Sequence, residues 1–376
     1  MDLRHALLER HGASFGRGAQ GWQITAVDLP AGEVRFRLSA PAHAAADGDT
    51  DTTAETPGET TREAVLVTTL NSAGSRRQIV DHVDGPFGAW QFVSSAEHDP
   101  VLSEPWLDTV RALLDMDFEP HDAVCLARAW HVGDTTWPTH LPRFPAVTLR
   151  AAPLQAPGLF PPCPEQLGLY AVVPDAEWIE RLVPLGVPTL QLRFKSGDPA
   201  RVADEIARAE QAARGSACRL FINDHWQEAI RQHRAALDMH GASGIYGIHL
   251  GQEDLADTDL PAICTARLRL GVSTHGFAEM LRVLPLQPSY LALGAVFPTT
   301  TKTLKTAPQG LARLQAYVET VRSSYPALPL VAIGGIDAGN AEEVLRTGVG
   351  NVAVVRAVTE AGDLSAAVRR LRALAG

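Results

Sequence analysis

The chain has 376 residues, of which 45% are hydrophobic and 20% charged, with a formal net charge of −10. That is enough for two domains with a substantial core. The acidic balance argues against a general nucleic-acid or membrane-surface binder, while leaving room for an anionic small ligand held by local positive charge. Cys125, Cys163, Cys218 and Cys264 are scattered without a C-x-x-C spacing, which argues against zinc and redox motifs. No apolar run approaches the roughly 18 residues of a membrane span, and Met1–His5 is not followed by a signal-peptide core. A cytoplasmic protein is expected.

In chain order, residues 22–27 and 33–38 read as short strands, the second alternating apolar and charged residues. Residues 41–62, rich in Ala, Asp, Thr, Gly and Pro, have little to bury and read as a disordered insertion. Residues 63–70 form a further strand, and residues 71–77 a turn opening a helix, or alternatively an anion-binding turn. Residues 105–116 and 121–131 are helical by apolar spacing. Residues 1–150 are thus expected to form a smaller α/β or α+β accessory domain of unassigned function. Residues 151–166 carry Pro153, Pro157, Pro161, Pro162 and Pro164, and are expected to be a linker.

From residue 167 to 376, β-rich runs alternate with amphipathic segments. The runs are residues 168–173, 189–194, 219–223, 247–250, 269–273, 290–297, 330–336 and 351–358. Eight strands, each followed by a helix, predict a (β/α)8 TIM barrel. An open doubly wound sheet is the alternative, but the first strand ends in Pro174-Asp175 without a glycine-rich loop.

Working groups of a barrel sit at the C-terminal strand ends. The second run puts Gln191, Arg193 and Lys195 on one face. The third and fourth end in Asn223-Asp224 and His249-Leu250-Gly251-Gln252-Glu253-Asp254. Asp224 and Asp254 on adjacent strand ends suit either salt bridges or a hard cation such as Mg²⁺ bridging to phosphate oxygens. His249 reads as a packed or hydrogen-bonded strand residue. Ser273 closes the fifth run. The sixth breaks at Pro298 into Thr299-Thr300-Thr301-Lys302, which alone could be a solvated turn but also suits an anion. Gly334-Gly335 ends the seventh run and Val355-Arg356 the eighth, where barrels commonly bind phosphate.

These strand-end motifs, with Leu270-Gly271-Val272-Ser273, together resemble the thiamine-phosphate synthase family over roughly residues 168–376. The resemblance implies an enzyme, a transferase coupling a pyrimidine methyl diphosphate to a thiazole phosphate with release of pyrophosphate. It implies that Gln191, Leu192, Arg193, Phe194, Lys195, Asn223, Ser273 and Lys302 hold the pyrimidine diphosphate, and that Arg193, Lys195 and Lys302 act in catalysis. It further implies Asp224 and Asp254 as Mg²⁺ ligands, and Thr299, Thr300, Thr301, Gly335, Val355 and Arg356 around the thiazole phosphate. Arg356 departs from the serine common in the family. The implied partners are small-molecule substrates, with neither nucleic acid nor membrane; assembly into a homo-oligomer is left open. Alternatives are a thiazole tautomerase-like isomerase and a non-catalytic phosphate-ligand binder.

Overall fold

The structure is a computed structural model that describes residues 3–15, 22–27, 33–40, 62–73, 76–95, 103–131, 133–134, 136–150, 154–300 and 306–374. The chain divides into two compact units, Met1–Pro153 and Leu154–Gly376.

The first unit contains α1 (Leu3–Phe15), β1 (Gln23–Val27), β2 (Glu33–Ala40), β3 (Arg62–Ala73), β4 (Arg76–Gly85), β5 (Gly88–Ser95), α2 (Glu104–Asp115), α3 (Pro120–Ala129) and β6 (Ala146–Leu149). Its strands form one antiparallel sheet in sequential order, so the unit is α+β. Residues 71–77, expected to be a turn opening a helix, instead contain the end of β3 at Ala73 and the start of β4 at Arg76, and β4 pairs with β3. The reason is a period of two: Ile79, Asp81 and Val83 are the most deeply buried residues of the strand, with Val80 buried less completely between them. Asp81 is paired with Arg128 of α3, whose Nε and Nη2 donate to its carboxylate at 2.6 and 2.8 Å. Thr68 donates to the same carboxylate at 2.6 Å, and the Arg128 guanidinium lies 4.0 Å from the Trp106 ring centroid. The expected disordered insertion, apart from Arg62, lies outside the described residues.

The second unit is a closed parallel barrel of β7 (Tyr170–Val173), β8 (Thr189–Leu192), β9 (Arg219–Asn223), β10 (Ile245–Leu250), β11 (Arg269–Thr274), β12 (Tyr290–Gly294), β13 (Leu330–Ile333) and β14 (Gly350–Val354), with β14 pairing back to β7. The helices between and after them are α4 (Ala176–Leu182), α5 (Pro199–Ala213), α6 (Trp226–His240), α7 (Leu260–Thr265), α8 (Phe277–Val283), α9 (Gly310–Arg322), α10 (Ala341–Arg346), α11 (Arg356–Thr359) and α12 (Leu364–Leu374). On α5, Val202, Ile206, Ala209 and Ala213 supply the buried stripe, and Asp198 caps its first turn. Strand β13 stops before the expected Ile336, because Gly334 and Gly335 take φ of 103° and 65°.

Residues 154–166 are part of this unit rather than a free linker. The Pro161 and Pro162 carbonyls accept from Ser289 Oγ and Arg269 Nε, at 2.7 and 3.0 Å. Asn351 Nδ2 donates to Glu165 O at 3.1 Å, while its Oδ1 accepts from Leu167 N at 2.7 Å. Phe160 and Cys163 are buried. Proline leaves a segment poor in N–H groups, but its carbonyls can still bond to the N-terminal strand ends.

The barrel interior is filled by Tyr170, Phe221 and Tyr290 with Val172, Ala292, Val331 and Ala353 around them. Room for Tyr290 comes from its register partner Gly271, where an added Cβ would lie 2.1 Å from the tyrosine Cζ. Gly271→Ala is therefore expected to destabilise the barrel by about 3 kcal/mol through overpacking, read as a lower urea midpoint at unchanged slope.

Candidate active site

The C-terminal ends of the barrel strands open into a cavity of about 770 Å³, within the range of small-molecule sites. Pleating decides which side chains reach it. Gln191, Arg193 and Lys195 line the cavity, as their shared face requires. Leu192 and Phe194 do not. Leu192 is buried on the other face of the strand, and the Phe194 ring lies 5.5 Å from the Arg201 guanidinium. The Phe194 carbonyl also bonds to His225 Nε2 at 2.9 Å. The side chains of Leu192 and Phe194 are thus removed from the expected ligand set.

At the top of β9, Asn223 and Asp224 both line the cavity. Asp224 has φ 61° and its N–H donates to His249 O at 3.0 Å, so a left-handed residue turns the chain back over the barrel rim. Asp254 is brought against it. Burial, the Asp254 charge and a hydrogen bond to Asp254 push the Asp224 carboxyl up to about 6, against a smaller opposing pull from Lys195 and Arg193. The two carboxylates and the two cations therefore occupy one electrostatic neighbourhood. Glu253, not singled out from the sequence, also lines the cavity. Among the described residues no group of three or more His, Cys, Asp or Glu side chains could hold a metal alone. A pair of hard oxygen donors whose mutual repulsion raises a pKa does fit a divalent cation that completes its shell with ligand oxygens and water.

Ser273 is held from two sides. Its Oγ bonds to His249 Nε2 at 2.8 Å, and its carbonyl accepts from Gln252 Nε2 at 2.9 Å. Arg282 in turn donates to Gln252 Oε1 at 3.0 Å.

The loop after β12 rests on the glycines after β13. Val296 N and Phe297 N donate to Ile333 O and Gly334 O at 2.9 and 3.0 Å. A Cβ at Gly335 would lie 2.6 Å from Pro298 O, so the close approach needs glycine there as well as its positive φ. The far end of the loop is tied back by Gln309 N to Ala295 O at 2.8 Å. From this base Thr299 reaches the cavity, while Thr300 is exposed and does not line it. Thr301 and Lys302 lie outside the described residues. Gly334, Gly335, Val355 and Arg356 also line the cavity, Arg356 as the first residue of α11 rather than a strand end.

The sequence profile of the family described as thiamine monophosphate synthase matches residues 169–358. The chain belongs to that family. Thiamine-phosphate synthase of Neisseria meningitidis serogroup B is 51% identical over 215 residues, covering 57% of this chain and 98% of that protein. Thiamine-phosphate synthase of Klebsiella pneumoniae is 51% identical over 217 residues, covering 58% of this chain and 96% of that protein. Among solved structures, thiamine phosphate pyrophosphorylase from Pyrococcus furiosus is 30% identical and covers 56% of this chain and 96% of that one, with a TM-score of 0.46. The thiamine monophosphate synthase match lies within the barrel unit and leaves residues 1–153 outside it.

Sequence reasoning passed over Tyr170 and Tyr290, and treated His249 as structural. The available signal was a tyrosine hydroxyl inside each of two otherwise apolar strands, one of them opposite a glycine.

Asp224 binds its proton more tightly folded than unfolded, so its contribution to stability is present below about pH 4 and is lost as pH rises through about 6. Asp254→Asn is expected to lower the Asp224 pKa and flatten this loss. A divalent cation is expected to raise Tm more at pH 7.5 than at pH 5. Carboxylate NMR titration and thermal melts at both pH values check the two statements.

Proposed function

We propose that the barrel joins a pyrimidine methyl diphosphate to a thiazole phosphate, giving thiamine phosphate and pyrophosphate. The observation that carries this reading is the Asp224–Asp254 pair set beside Arg193 and Lys195 in one cavity. Two cations suit a polyanion, and paired carboxylates beside that polyanion make electrostatic sense with a divalent cation between them. Asp224 and Asp254 would hold that ion, Mg²⁺, which when bound supplies positive charge to the diphosphate.

The remaining work falls to the protein. Arg193, Lys195 and Lys302 stabilise negative charge that develops on pyrophosphate as its bond to the pyrimidine methylene breaks. Gln191, Asn223 and Ser273 orient the pyrimidine diphosphate. Thr299, Thr301, Gly335, Val355 and Arg356 hold the thiazole phosphate across the cavity, so that the thiazole nitrogen forms the new C–N bond with the methylene cation. Val172, Ala292 and Ala353 give the cavity apolar lining, which limits water that would otherwise capture the cation. Arginine at 356 is long enough to reach a phosphate from the rim. No helix in the described residues is long and apolar enough to cross a membrane. The four cysteines are free, which suits a reducing compartment, and we place the reaction in the cytoplasm.

A thiazole tautomerase or a phosphate-binding protein would have no use for the carboxylate pair. Pyrophosphate release is expected only with both substrates and a divalent cation present. Lys195→Ala and Lys302→Ala are each expected to lower kcat/KM by about 10²–10³-fold with the circular dichroism spectrum unchanged. Isomerisation of the thiazole phosphate without pyrophosphate release would instead favour the tautomerase.

A further inference from the structure

A line of hydrogen bonds crosses the barrel interior beneath the cavity. Gln191 Nε2 donates to Tyr170 OH at 2.9 Å. The Tyr170 and Tyr290 hydroxyls are 2.6 Å apart, and Tyr290 OH is 2.6 Å from His249 Nδ1. His249 Nε2 is 2.8 Å from Ser273 Oγ. Both tyrosines are fully buried, so water does not take the place of these partners. Gln191 and Ser273, at the two ends, line the cavity, as does His249, while the two tyrosines do not.

Donor counting fixes the sense of the whole line from either end. A diphosphate offers only acceptors, so a serine that binds it must donate its hydroxyl hydrogen. Ser273 Oγ then accepts from His249, which carries its proton on Nε2. His249 Nδ1 is left as an acceptor for Tyr290, and Tyr290 accepts from Tyr170. Tyr170 must therefore receive the amide N–H of Gln191, as the structure has it. That leaves Gln191 Oε1 to face the cavity as an acceptor. The opposite sense is also complete, but it turns both ends over together: Gln191 would offer a donor and Ser273 an acceptor.

We propose that Tyr170, Tyr290 and His249 are positioning residues that couple the diphosphate end of the site to its pyrimidine end. Through them, a diphosphate on Ser273 sets Gln191 as an acceptor, and the site selects a pyrimidine bearing an exocyclic amino donor over one bearing a carbonyl. The inference rests on the proposed pyrimidine diphosphate substrate. The fold supports it independently: Gly271 leaves the space that the Tyr290 ring and hydroxyl occupy, since a Cβ there would lie 2.5 Å from that hydroxyl.

The test measures kcat/KM for the 4-amino pyrimidine methyl diphosphate and for its 4-oxo analogue. Tyr290→Phe keeps the ring, Gln191 and Ser273, and removes only the middle of the line. The amino-to-oxo ratio is expected to fall at least tenfold, with KM for the thiazole phosphate within twofold of wild type. Tyr170→Phe is expected to do the same. Tyr246→Phe, which packs on the same interior cluster but lies outside the line, should leave the ratio unchanged. Nitrogen-15 NMR of the wild-type protein with the diphosphate bound should show His249 protonated on Nε2 alone. An unchanged ratio in folded Tyr290→Phe and Tyr170→Phe would overturn the proposal, as would a proton on Nδ1 in the wild type. Failure of the wild type to couple the 4-amino substrate would instead overturn the proposed reaction, and the NMR result would still decide the line.

Discussion

Closure of eight parallel strands imposes one rule on the second unit: every strand residue faces either the filled interior or the surrounding helices. The interior has little room, and glycine on a neighbouring strand makes space for two of its aromatic rings. Tyr290 opposite Gly271 is the clearest case, and a Cβ at Gly247 would likewise lie 2.5 Å from the Phe221 ring. The same alternation that packs Tyr170 and Tyr290 into the interior lifts Gln191, Arg193 and Lys195 to its mouth. Core and site are therefore set by one geometric constraint.

Electrostatics at the mouth follow from that crowding. Asp224 and Asp254 are brought together by adjacent strand ends, and partial burial makes their mutual repulsion expensive. Arg193 and Lys195 relieve only part of it. Such a site is poised for a ligand that brings both negative oxygens and a counter-cation. The loop after β12 is carried on the Gly334-Gly335 turn, so Thr299 springs from a backbone held at Val296 and Phe297.

The first unit follows a different logic. Its sheet is antiparallel, with one buried face, and its helix α3 is tied to β4 by a fully buried carboxylate–guanidinium pair. Breaking such a pair leaves an uncompensated charge in the core, at a cost of about 3–5 kcal/mol. The barrel carries its own N-terminal closure in residues 154–166, whose carbonyls bond to the lower strand ends.

Alternation and strand-end polarity in the sequence determined the barrel, the order of its strands and most of the residues at its mouth, because a period of two and a polar break are local properties of the chain. Tertiary structure alone decided the rest. The family resemblance put Leu192 and Phe194 in the ligand set against the period of two, and the closed barrel keeps their side chains off the cavity. The strand at residues 76–85 was hidden behind small residues and arginines, and its burial depends on a partner, Arg128, far along the chain. The proline-rich stretch reads as a linker from its composition, and only the fold brings its carbonyls to Ser289, Arg269 and Asn351, far along the chain. The pairing of Asp224 with Asp254, and the line of bonds from Gln191 to Ser273, join residues of different strands. Distances of that kind exist only once the barrel has closed.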